Sequence, residues 1–453
     1  MQRAIGMART PTSGIMGAMD KNPFKRRRAD FMALMGEGVA IIPTAPVRNR
    51  NNDVDFLFRP DSDFYYLTHF PEPEAVAVLI PGRPQGEFLL FCRERNLDKE
   101  QWQGLRAGQE GAVAIYGADD TFPIDDIDDI LPGLLENRQR VYYSMGRHPE
   151  FDGHVLDWVN EVRSKSRSGV TAPGEFVDPN HILHEMRLVK RPEEIALMRR
   201  AATLGGQGHL RAIRACAPGL HEYELEAELL YAFRKGGSEY PSYPPIVASG
   251  ANACILHYTE NNAVLKAGTL VLIDAGCEVD GYASDITRTF PVGPRFSPAQ
   301  RALYDIVLAA HGAALKHIGP NQEWPNAHNA AVKVLTQGLI DLKLLQGSVD
   351  ELVESGGYKR FYMHRTGHWL GLDVHDVGDY RVAGAPRVLE PGMVTTVEPG
   401  LYIRAADDIP KAFHNIGIRI EDDVLITKTG HEILSHAVPR RAEDIEALRA
   451  ECP

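Results

Sequence analysis

Asp274 and Asp285 are two residues whose types and spacing could do chemistry together. Each adjoins a β-branched, apolar run that predicts a strand, and the two runs are joined by Asp280-Gly281. This dipeptide is preferred in two-residue hairpin turns. Because diagonal Cβ atoms in such a hairpin are about 7–8 Å apart, both carboxylates could reach one shared cation.

The hairpin turn also predicts which residues face each other. It places Asp274 opposite Thr287 and Gly276 opposite Asp285, so both aspartates lie on one face of the hairpin. Two acids on one face repel each other unless a cation lies between them. A solvent-facing strand with scattered acids explains the same pattern, and this segment alone leaves both interpretations open.

The C-terminal part of the chain adds two more acids and a base. Met393–Val397 predicts a strand that ends at Glu398. Ile416–Ile426 predicts another strand, in which Arg419 and Glu421 lie side by side on the face opposite the isoleucines. Such a pair is either a plain salt bridge or a metal ligand with the residue that orients it.

Histidines cluster just before these strands, at His364, His368 and His375. The first two have the i, i+4 spacing of a helical zinc pair, but Gly367 disfavours a helix there and the glutamate of that motif is missing. We therefore predict a histidine cluster on a non-helical segment. His257 is a fourth candidate, although a lone histidine is more often structural.

The elements that must position these residues fall into two predicted domains. Short apolar runs alternate with helical stretches in residues 21–185, which predicts a smaller mixed α/β domain. Pro192, followed by two glutamates, begins a strong helix, so we place the boundary just before it. Residues 186–453 predict a larger α+β domain, and residues 1–20 predict a disordered tail.

The first predicted helix carries the densest basic run of the chain. It spans residues 21–37, with Phe31, Leu34 and Met35 directed inward and Lys25–Arg28 expected to be solvated. The formal net charge is −12. Nucleic-acid binding needs clustered cations, so we expect no nucleic-acid partner.

Composition indicates a globular protein of a reducing compartment. The five cysteines are widely spaced and form no CxxC motif, which argues against a disulfide framework. Each is expected to be an inert core residue. No apolar run approaches the about 20 residues that cross a bilayer. We therefore expect a cytoplasmic protein without a membrane partner.

Taken together, these motifs resemble those of the pita-bread metallopeptidases. The segments that carry the resemblance are DAG…SDITRTF (274–290), HWLGLDVHD (368–376), EPGMV…VEPGLYI (390–403) and IGIRIED (416–422). Within that family, RPDSDFYYLT (59–68) and SGANACILHY (249–258) are most similar to bacterial aminopeptidase P. The resemblance covers nearly the whole chain after residue 20. It implies a creatinase-like α/β domain followed by a pita-bread domain.

The resemblance implies a dinuclear metal site with five protein ligands. These would be Asp274, Asp285, His368, Glu398 and Glu421. Asp285 and Glu421 would bridge both ions, His368 and Glu398 would complete one ion, and Asp274 would complete the other. A ligand set this rich in oxygen suits two Mn²⁺ ions, which most relatives use. Mg²⁺, Co²⁺ or Zn²⁺ would be substitutes.

The implied reaction is hydrolysis by a water that two metal ions activate. Glu398 would carry a proton between this water and the leaving nitrogen. The residues expected to orient the substrate, stabilise the oxyanion or hold a carboxylate in place are His257, His364, His375 and Arg419.

The resemblance also implies which residues contact the substrate. Asp274 would lie by the free amine and Tyr402 beside the reaction centre, while Asp53 and Trp102 would act from a neighbouring subunit. A homo-oligomer, either a dimer or a tetramer, is therefore expected. One departure is Arg365, which stands where relatives often have a small residue and would change the preference for substrate charge or length.

These expectations converge on an exopeptidase that releases the N-terminal residue of peptides with proline in second position. One alternative is prolidase, which has the same ligands but acts on Xaa-Pro dipeptides. Another is a non-catalytic pita-bread protein that binds peptides or proteins. Such proteins have typically lost metal ligands, whereas all five positions are filled here.

Overall fold

A computed structural model describes residues 22–451, which form two compact units that divide between Met186 and Arg187. The predicted tail of residues 1–20 lies outside the described residues. Within residues 22–451, we find no helix whose length and hydropathy would let it span a bilayer.

The first unit is built on a six-stranded mixed sheet. Its helices are α1 (Pro23–Met35), α2 (Ser62–Thr68), α3 (Leu97–Gln103), α4 (Gly108–Ala114), α5 (Ile127–Leu135), α6 (Pro149–Ser164) and α7 (Asn180–Leu188), which ends two residues into the second unit. Its strands are β1 (Val39–Pro43), β2 (Asn49–Asn51), β3 (Val54–Asp55), β4 (Val76–Leu79), β5 (Phe88–Cys92), β6 (Asp120–Pro123), β7 (Arg140–Tyr142) and β8 (Glu175–Val177).

The sheet of the first unit has an antiparallel centre and parallel margins. The pairs β1–β4 and β4–β5 are antiparallel, whereas β1–β7, β5–β6 and β7–β8 are parallel. Every residue of β4 and β5 is buried. This explains why both strands are continuous apolar runs rather than alternating ones.

The basic run on α1 differs from the prediction. Arg27 and Arg28 are each only 3% exposed, so the expectation of a solvated run is wrong for both. Arg28 donates a 2.9 Å hydrogen bond to the Leu67 carbonyl oxygen and lies 4.0 Å over the ring of Phe88. Leu34, which was expected to face inward, is 64% exposed. A long arginine side chain can be buried when carbonyl oxygens accept its hydrogen bonds and an aromatic ring packs against its guanidinium. The buried face of α1 therefore differs from the predicted apolar face.

The second unit combines several small antiparallel sheets with helices packed around them. Its helices are α8 (Pro192–Ala215), α9 (Glu222–Lys235), α10 (Pro298–Leu315), α11 (Pro325–Asp341), α12 (Val349–Ser355) and α13 (Ala442–Ala450). Its strands are β9 (Ile246–Ser249), β10 (Leu270–Asp274), β11 (Glu278–Val279), β12 (Tyr282–Ala283), β13 (Thr287–Pro291), β14 (Arg381–Val382), β15 (Ala385–Pro386), β16 (Val394–Val397), β17 (Gly400–Ile403), β18 (Ile416–Arg419), β19 (Asp422–Ile426) and β20 (His431–Ile433). Two sheets have three strands, in the orders β13-β10-β9 and β16-β19-β20, and β17 pairs with β18.

The predicted hairpin forms in the predicted register. Asp274 at the end of β10 pairs with Thr287 at the start of β13. At the other end of the hairpin, Asp280 and Gly281 have φ angles of 53° and 80°, as a two-residue turn of this type requires. The two aspartates are therefore presented on one face by the geometry of the turn.

The strand predicted over Ile416–Ile426 is in fact two strands in different sheets. β18 pairs with β17 and β19 pairs with β16, and the chain changes partners at Ile420 and Glu421. There the backbone N–H of Glu421 donates to the Thr287 carbonyl oxygen at 3.1 Å, which connects the segment to β13. Ile420 continues the alternation of Ile416 and Ile418, and no glycine or proline marks the switch, so the sequence pattern could not reveal it. Arg419 and Glu421 consequently lie where three sheet segments meet.

Candidate metal centre

A cavity of about 580 Å³ in the second unit contains most of the predicted site. The predicted residues that line it are Asp274, Asp285, His257, His364, His368, His375, Glu398, Arg419 and Glu421. Tyr402 is buried against this set at 1% exposure. Trp102 and Asp53 belong to the first unit, where both are exposed.

Three of the predicted ligands form a compact cluster. Donor atoms of Asp285, His368 and Glu421 lie within 4.8 Å of one another. His368 Nε2 is 3.3 Å from Asp285 Oδ2 and 3.8 Å from Glu398 Oε1. His368 Nδ1 lies 2.9 Å from the Trp369 carbonyl oxygen, which favours a proton on Nδ1 and aims Nε2 at the carboxylates.

Asp274 joins the cluster through a tyrosine that the sequence analysis missed. The Tyr243 hydroxyl contacts carboxylate oxygens of both Asp274 and Asp285. Burial and these two acids raise the pKa of Tyr243 well above its usual value, so it is a donor here. Tyr243 belongs to the Pro-rich segment 240–245. Only the path of that segment over the hairpin brings the ring to the aspartates.

The hairpin needs a glycine opposite Asp285. A Cβ on Gly276 would lie 1.7 Å from the Ser284 carbonyl oxygen, so no side chain fits there without moving backbone. The backbone N–H of Asp285 donates to the Asp423 carboxylate at 3.1 Å. These contacts fix the strand position from which Asp285 reaches into the cavity.

Glu421 is held by residues of β13. Thr287 Oγ1 donates a 2.6 Å hydrogen bond to Glu421 Oε2. The Arg288 guanidinium donates to the Glu421 carbonyl oxygen at 2.6 Å and pairs with the fully buried Asp422 at 2.7 Å. Thr287 was not predicted as a site residue, although the hairpin register had already placed it opposite Asp274.

Arg419 begins a chain of polar contacts that leads away from Asp274. Its guanidinium pairs with Asp274 and donates to the Tyr402 hydroxyl at 2.8 Å. That hydroxyl is in turn 2.8 Å from His364 Nε2. Burial and the charge of Arg419 lower the pKa of His364 to about 3. His364 is therefore a neutral imidazole, placed 3.4 Å from Glu398 Oε2.

The remaining two histidines lie at the cavity wall. The ring of His375 packs edge-on against that of His368, with centroids 4.4 Å apart. The next residue, Asp376, is buried and accepts hydrogen bonds from Lys190 at 2.9 Å and Arg187 at 2.6 Å. This ion network anchors the segment that carries His375. His257 also lines the cavity and is exposed.

The electrostatics of the cluster fit divalent cations. Burial raises the pKa of Asp274, and burial together with neighbouring carboxylates raises that of Glu421 well above its usual value. Burial raises the pKa of Glu398 to about 7, against the opposing charges of His368 and Arg419. So many buried acids need compensating positive charge to remain ionised, and four carboxylates with one imidazole are a donor set for Mn²⁺-like ions.

Comparison with known families agrees with this donor set. The model of metallopeptidase family M24 matches residues 196–428, and that of the aminopeptidase P N-terminal domain matches residues 24–142. The chain is 45% identical over 435 residues to the Xaa-Pro aminopeptidase of Escherichia coli K12, covering 96% of this chain and 98% of the relative.

Solved structures extend the likeness to the fold. Aminopeptidase PepP of Pseudomonas aeruginosa is 57% identical with a TM-score of 0.94, covering 96% of this chain and 99% of that one. Zn-substituted E. coli aminopeptidase P, in complex with product, is 44% identical with a TM-score of 0.93, covering 96% and 99%. The predicted two-domain fold, α/β followed by pita-bread, is thereby confirmed. The chain belongs to metallopeptidase family M24.

Proposed function

We propose that this chain is a two-metal aminopeptidase that releases the N-terminal residue from peptides with proline in second position. The observation that carries the proposal is the convergence of Asp285, His368 and Glu421 in a cavity that also contains Asp274 and Glu398. Relatives with this specificity in their names match nearly the whole chain.

The proposed cofactor is a pair of Mn²⁺ ions. Asp274, Asp285, His368, Glu398 and Glu421 would hold them. The oxygen-rich donor set supports Mn²⁺, while the Zn-substituted relative suggests that other divalent ions can occupy such a site. When bound, the ions would activate water and polarise the scissile carbonyl.

The protein residues would supply binding, orientation and proton transfer. Glu398 borders the cavity beside His364 and His368, where it would accept a proton from water and donate it to the leaving nitrogen. Asp274 would bind the free amine of the substrate. His257 and His375 would face the carbonyl oxygen as it becomes negative, and the chain from Arg419 through Tyr402 to His364 would hold the surrounding groups in place.

Proline in second position removes the N–H that most aminopeptidases bind, and its ring fixes φ. A cavity shaped for the ring turns this constraint into selectivity. We propose that Trp102 and Asp53 of a neighbouring subunit help to close the cavity in a dimer or tetramer. Their exposure in the single chain leaves them free to do so. The proposed location is the cytoplasm.

Hydrolysis of Xaa-Pro-Xaa tripeptides with and without Mn²⁺ tests the activity. We expect Mn²⁺-dependent release of the first residue by the wild type, loss of activity in Glu421→Ala, and an unchanged circular dichroism spectrum. Glu390→Ala changes an exposed acid of the same unit and is the matched control. Wild-type protein that stays inactive when loaded with Mn²⁺ would refute the proposal.

The two alternatives make different predictions in the same assay. A prolidase would cleave Xaa-Pro dipeptides faster than the corresponding tripeptides. A non-catalytic binding protein would retain fewer than about one metal ion per chain after loading and would hydrolyse neither peptide.

A further inference from the structure

Two arginines that are not part of the proposed metal centre add positive charge to the cavity wall. Arg365 and Arg381 both line the cavity. Among the described residues, the only acids that line it are four of the five proposed metal ligands, Asp274, Asp285, Glu398 and Glu421. Once two divalent ions neutralise those acids, the remaining charge on the cavity wall is positive.

Arg365 differs from its neighbours because its guanidinium has no hydrogen-bond or ion-pair partner within residues 22–451. Arg360, on the same segment, is paired with Asp408 at 2.5 Å, and Arg381 donates to the Gly384 carbonyl oxygen. An unpaired guanidinium at a cavity wall presents a fork of donors that matches a carboxylate. Burial and the charges of Arg365 and Lys359 lower the pKa of His328 to about 4, consistent with a positive field at this wall.

The backbone that carries Arg365 is held from both sides. The Arg365 carbonyl oxygen lies 2.7 Å from His364 Nδ1, and the Thr366 carbonyl oxygen accepts a 2.8 Å hydrogen bond from the Glu398 backbone N–H. Thr366 Oγ1 contacts His328 Nδ1 at 2.9 Å. The guanidinium therefore extends from a fixed point, which lowers the entropic cost of binding a ligand.

Arg365 is separated from Asp274, the proposed amine site, by a series of intervening residues. From Asp274, the contacts run through Arg419 and Tyr402 to His364, which precedes Arg365. We propose that Arg365 binds a carboxylate of the substrate on the C-terminal side of the scissile bond. This inference rests on the proposed function. The carboxylate could be the C-terminus of a short peptide or an acidic side chain after the proline.

Two matched peptide pairs test the inference in the Mn²⁺-loaded enzyme. Ala-Pro-Ala-Ala with a free or an amidated C-terminus reports on a terminal carboxylate, and Ala-Pro-Glu-Ala-amide against Ala-Pro-Gln-Ala-amide reports on a side chain. We expect the wild type to prefer the charged member of at least one pair, mainly through a lower KM. The preference is measured as kcat/KM for the charged peptide divided by kcat/KM for its neutral partner. Arg365→Gln should reduce this ratio by about fivefold, and Arg365→Lys should retain most of it.

Lys428→Gln is the control, since it removes an exposed cation of the same unit that does not line the cavity and should leave both ratios unchanged. Higher ionic strength should weaken the wild-type preference. The inference is overturned if Arg365→Gln leaves both ratios unchanged, or if it lowers cleavage of charged and neutral peptides equally. Failure of the wild type to cleave any of the four peptides would instead overturn the proposed aminopeptidase function.

Discussion

Three of the five proposed metal ligands are positioned by specific neighbours. Thr287 orients Glu421, the Trp369 carbonyl oxygen sets the tautomer of His368, and the Asp423 carboxylate holds the backbone of Asp285. Such contacts reduce the freedom that each donor would lose on binding an ion. They also determine which protons must leave before an ion can bind.

Metal affinity should rise steeply with pH. Burial raises the pKa of Glu398 to about 7. Burial alone would lower the pKa of His368, but its contact with Asp285 and the charge of Glu398 raise it to about 9. Both groups bind a metal only when deprotonated, so affinity falls as pH decreases through these values, by about tenfold per pH unit for each proton released.

Calorimetric titration of Mn²⁺ in buffers of different ionisation enthalpy counts these protons directly. We expect net proton release between pH 6 and pH 8, and no measurable binding by Glu421→Ala. An affinity that is independent of pH would contradict the assignment of His368 and Glu398 as ligands.

At the residue scale, the sequence predicted which acids and histidines lie together in the cavity, but it missed some of the side chains that support them. Asp274 and Asp285 could be related by a turn and a register, because both depend on local geometry that the sequence reveals. Tyr243 could not, since its contact with the aspartates depends on how an irregular proline-rich segment crosses a distant hairpin. The residues proposed as ligands stay predictions in their roles.

At the scale of secondary-structure elements, a buried ion pair connects the start of α8 to the site. Lys190 and Asp376 are both 1% exposed in their side chains, and their pair connects the chain just before α8 to the segment of His375. Removing one partner of a buried pair leaves an uncompensated charge. Because Arg187 also contacts Asp376, the charge would be only partly uncompensated here.

We therefore expect Lys190→Met to destabilise the protein by about 2 kcal/mol. We also expect it to reduce kcat, with a smaller change in KM, because His375 would be displaced. Urea denaturation and steady-state kinetics measure the two effects. Lys266→Met, at an exposed lysine of the same unit, should change neither. Equal behaviour of the two variants would exclude a positioning role for Lys190.

The buried arginines of α1 make a second prediction at this scale. Truncating Arg28 removes its hydrogen bond to a carbonyl oxygen and its contact with an aromatic ring. Arg28→Ala should therefore lower the free energy of unfolding by about 2 kcal/mol. Lys25→Ala, on an exposed position of the same helix, should change stability by less than about 0.5 kcal/mol. Chemical denaturation monitored by fluorescence compares them, and equal midpoints would contradict the packing role of Arg28.

Elements were predicted more reliably than their partners. The hairpin register was correct because the turn dictates it, and α8 begins at Pro192 as expected. The switch between β18 and β19 was missed, because an apolar pattern records burial and does not record which strand provides the hydrogen bonds. The burial of Arg27 and Arg28 was missed because a basic run does not record which carbonyl oxygens and aromatic rings will contact it.

At the scale of the whole molecule, the first unit exposes apolar side chains around α3. Leu97, Trp102 and Leu105 are 80%, 88% and 68% exposed, respectively. Exposed apolar groups of this size commonly mark interaction surfaces. This supports the proposal that subunits associate there, because Trp102 is almost fully exposed among residues 22–451.

Trp102→Ser should lower the molar mass measured by light scattering and raise KM for Xaa-Pro-Xaa peptides, since the cavity would lose its neighbouring subunit. Phe176→Ser changes a 37%-exposed aromatic of the same unit and should leave the mass unchanged. A Trp102→Ser protein with wild-type mass and KM would contradict the proposed closure.

The turn at Asp280 and Gly281 has a consequence for insertions and deletions. Since side chains alternate between faces along a strand, one residue added between Gly281 and Asp285 would turn that carboxylate to the other face. The hairpin of β14 and β15, with its tip at Ala383 and Gly384, carries none of the proposed metal ligands, and its residues 381–385 are exposed. Length variation across homologous chains should therefore be tolerated in that loop and be nearly absent between Asp274 and Asp285.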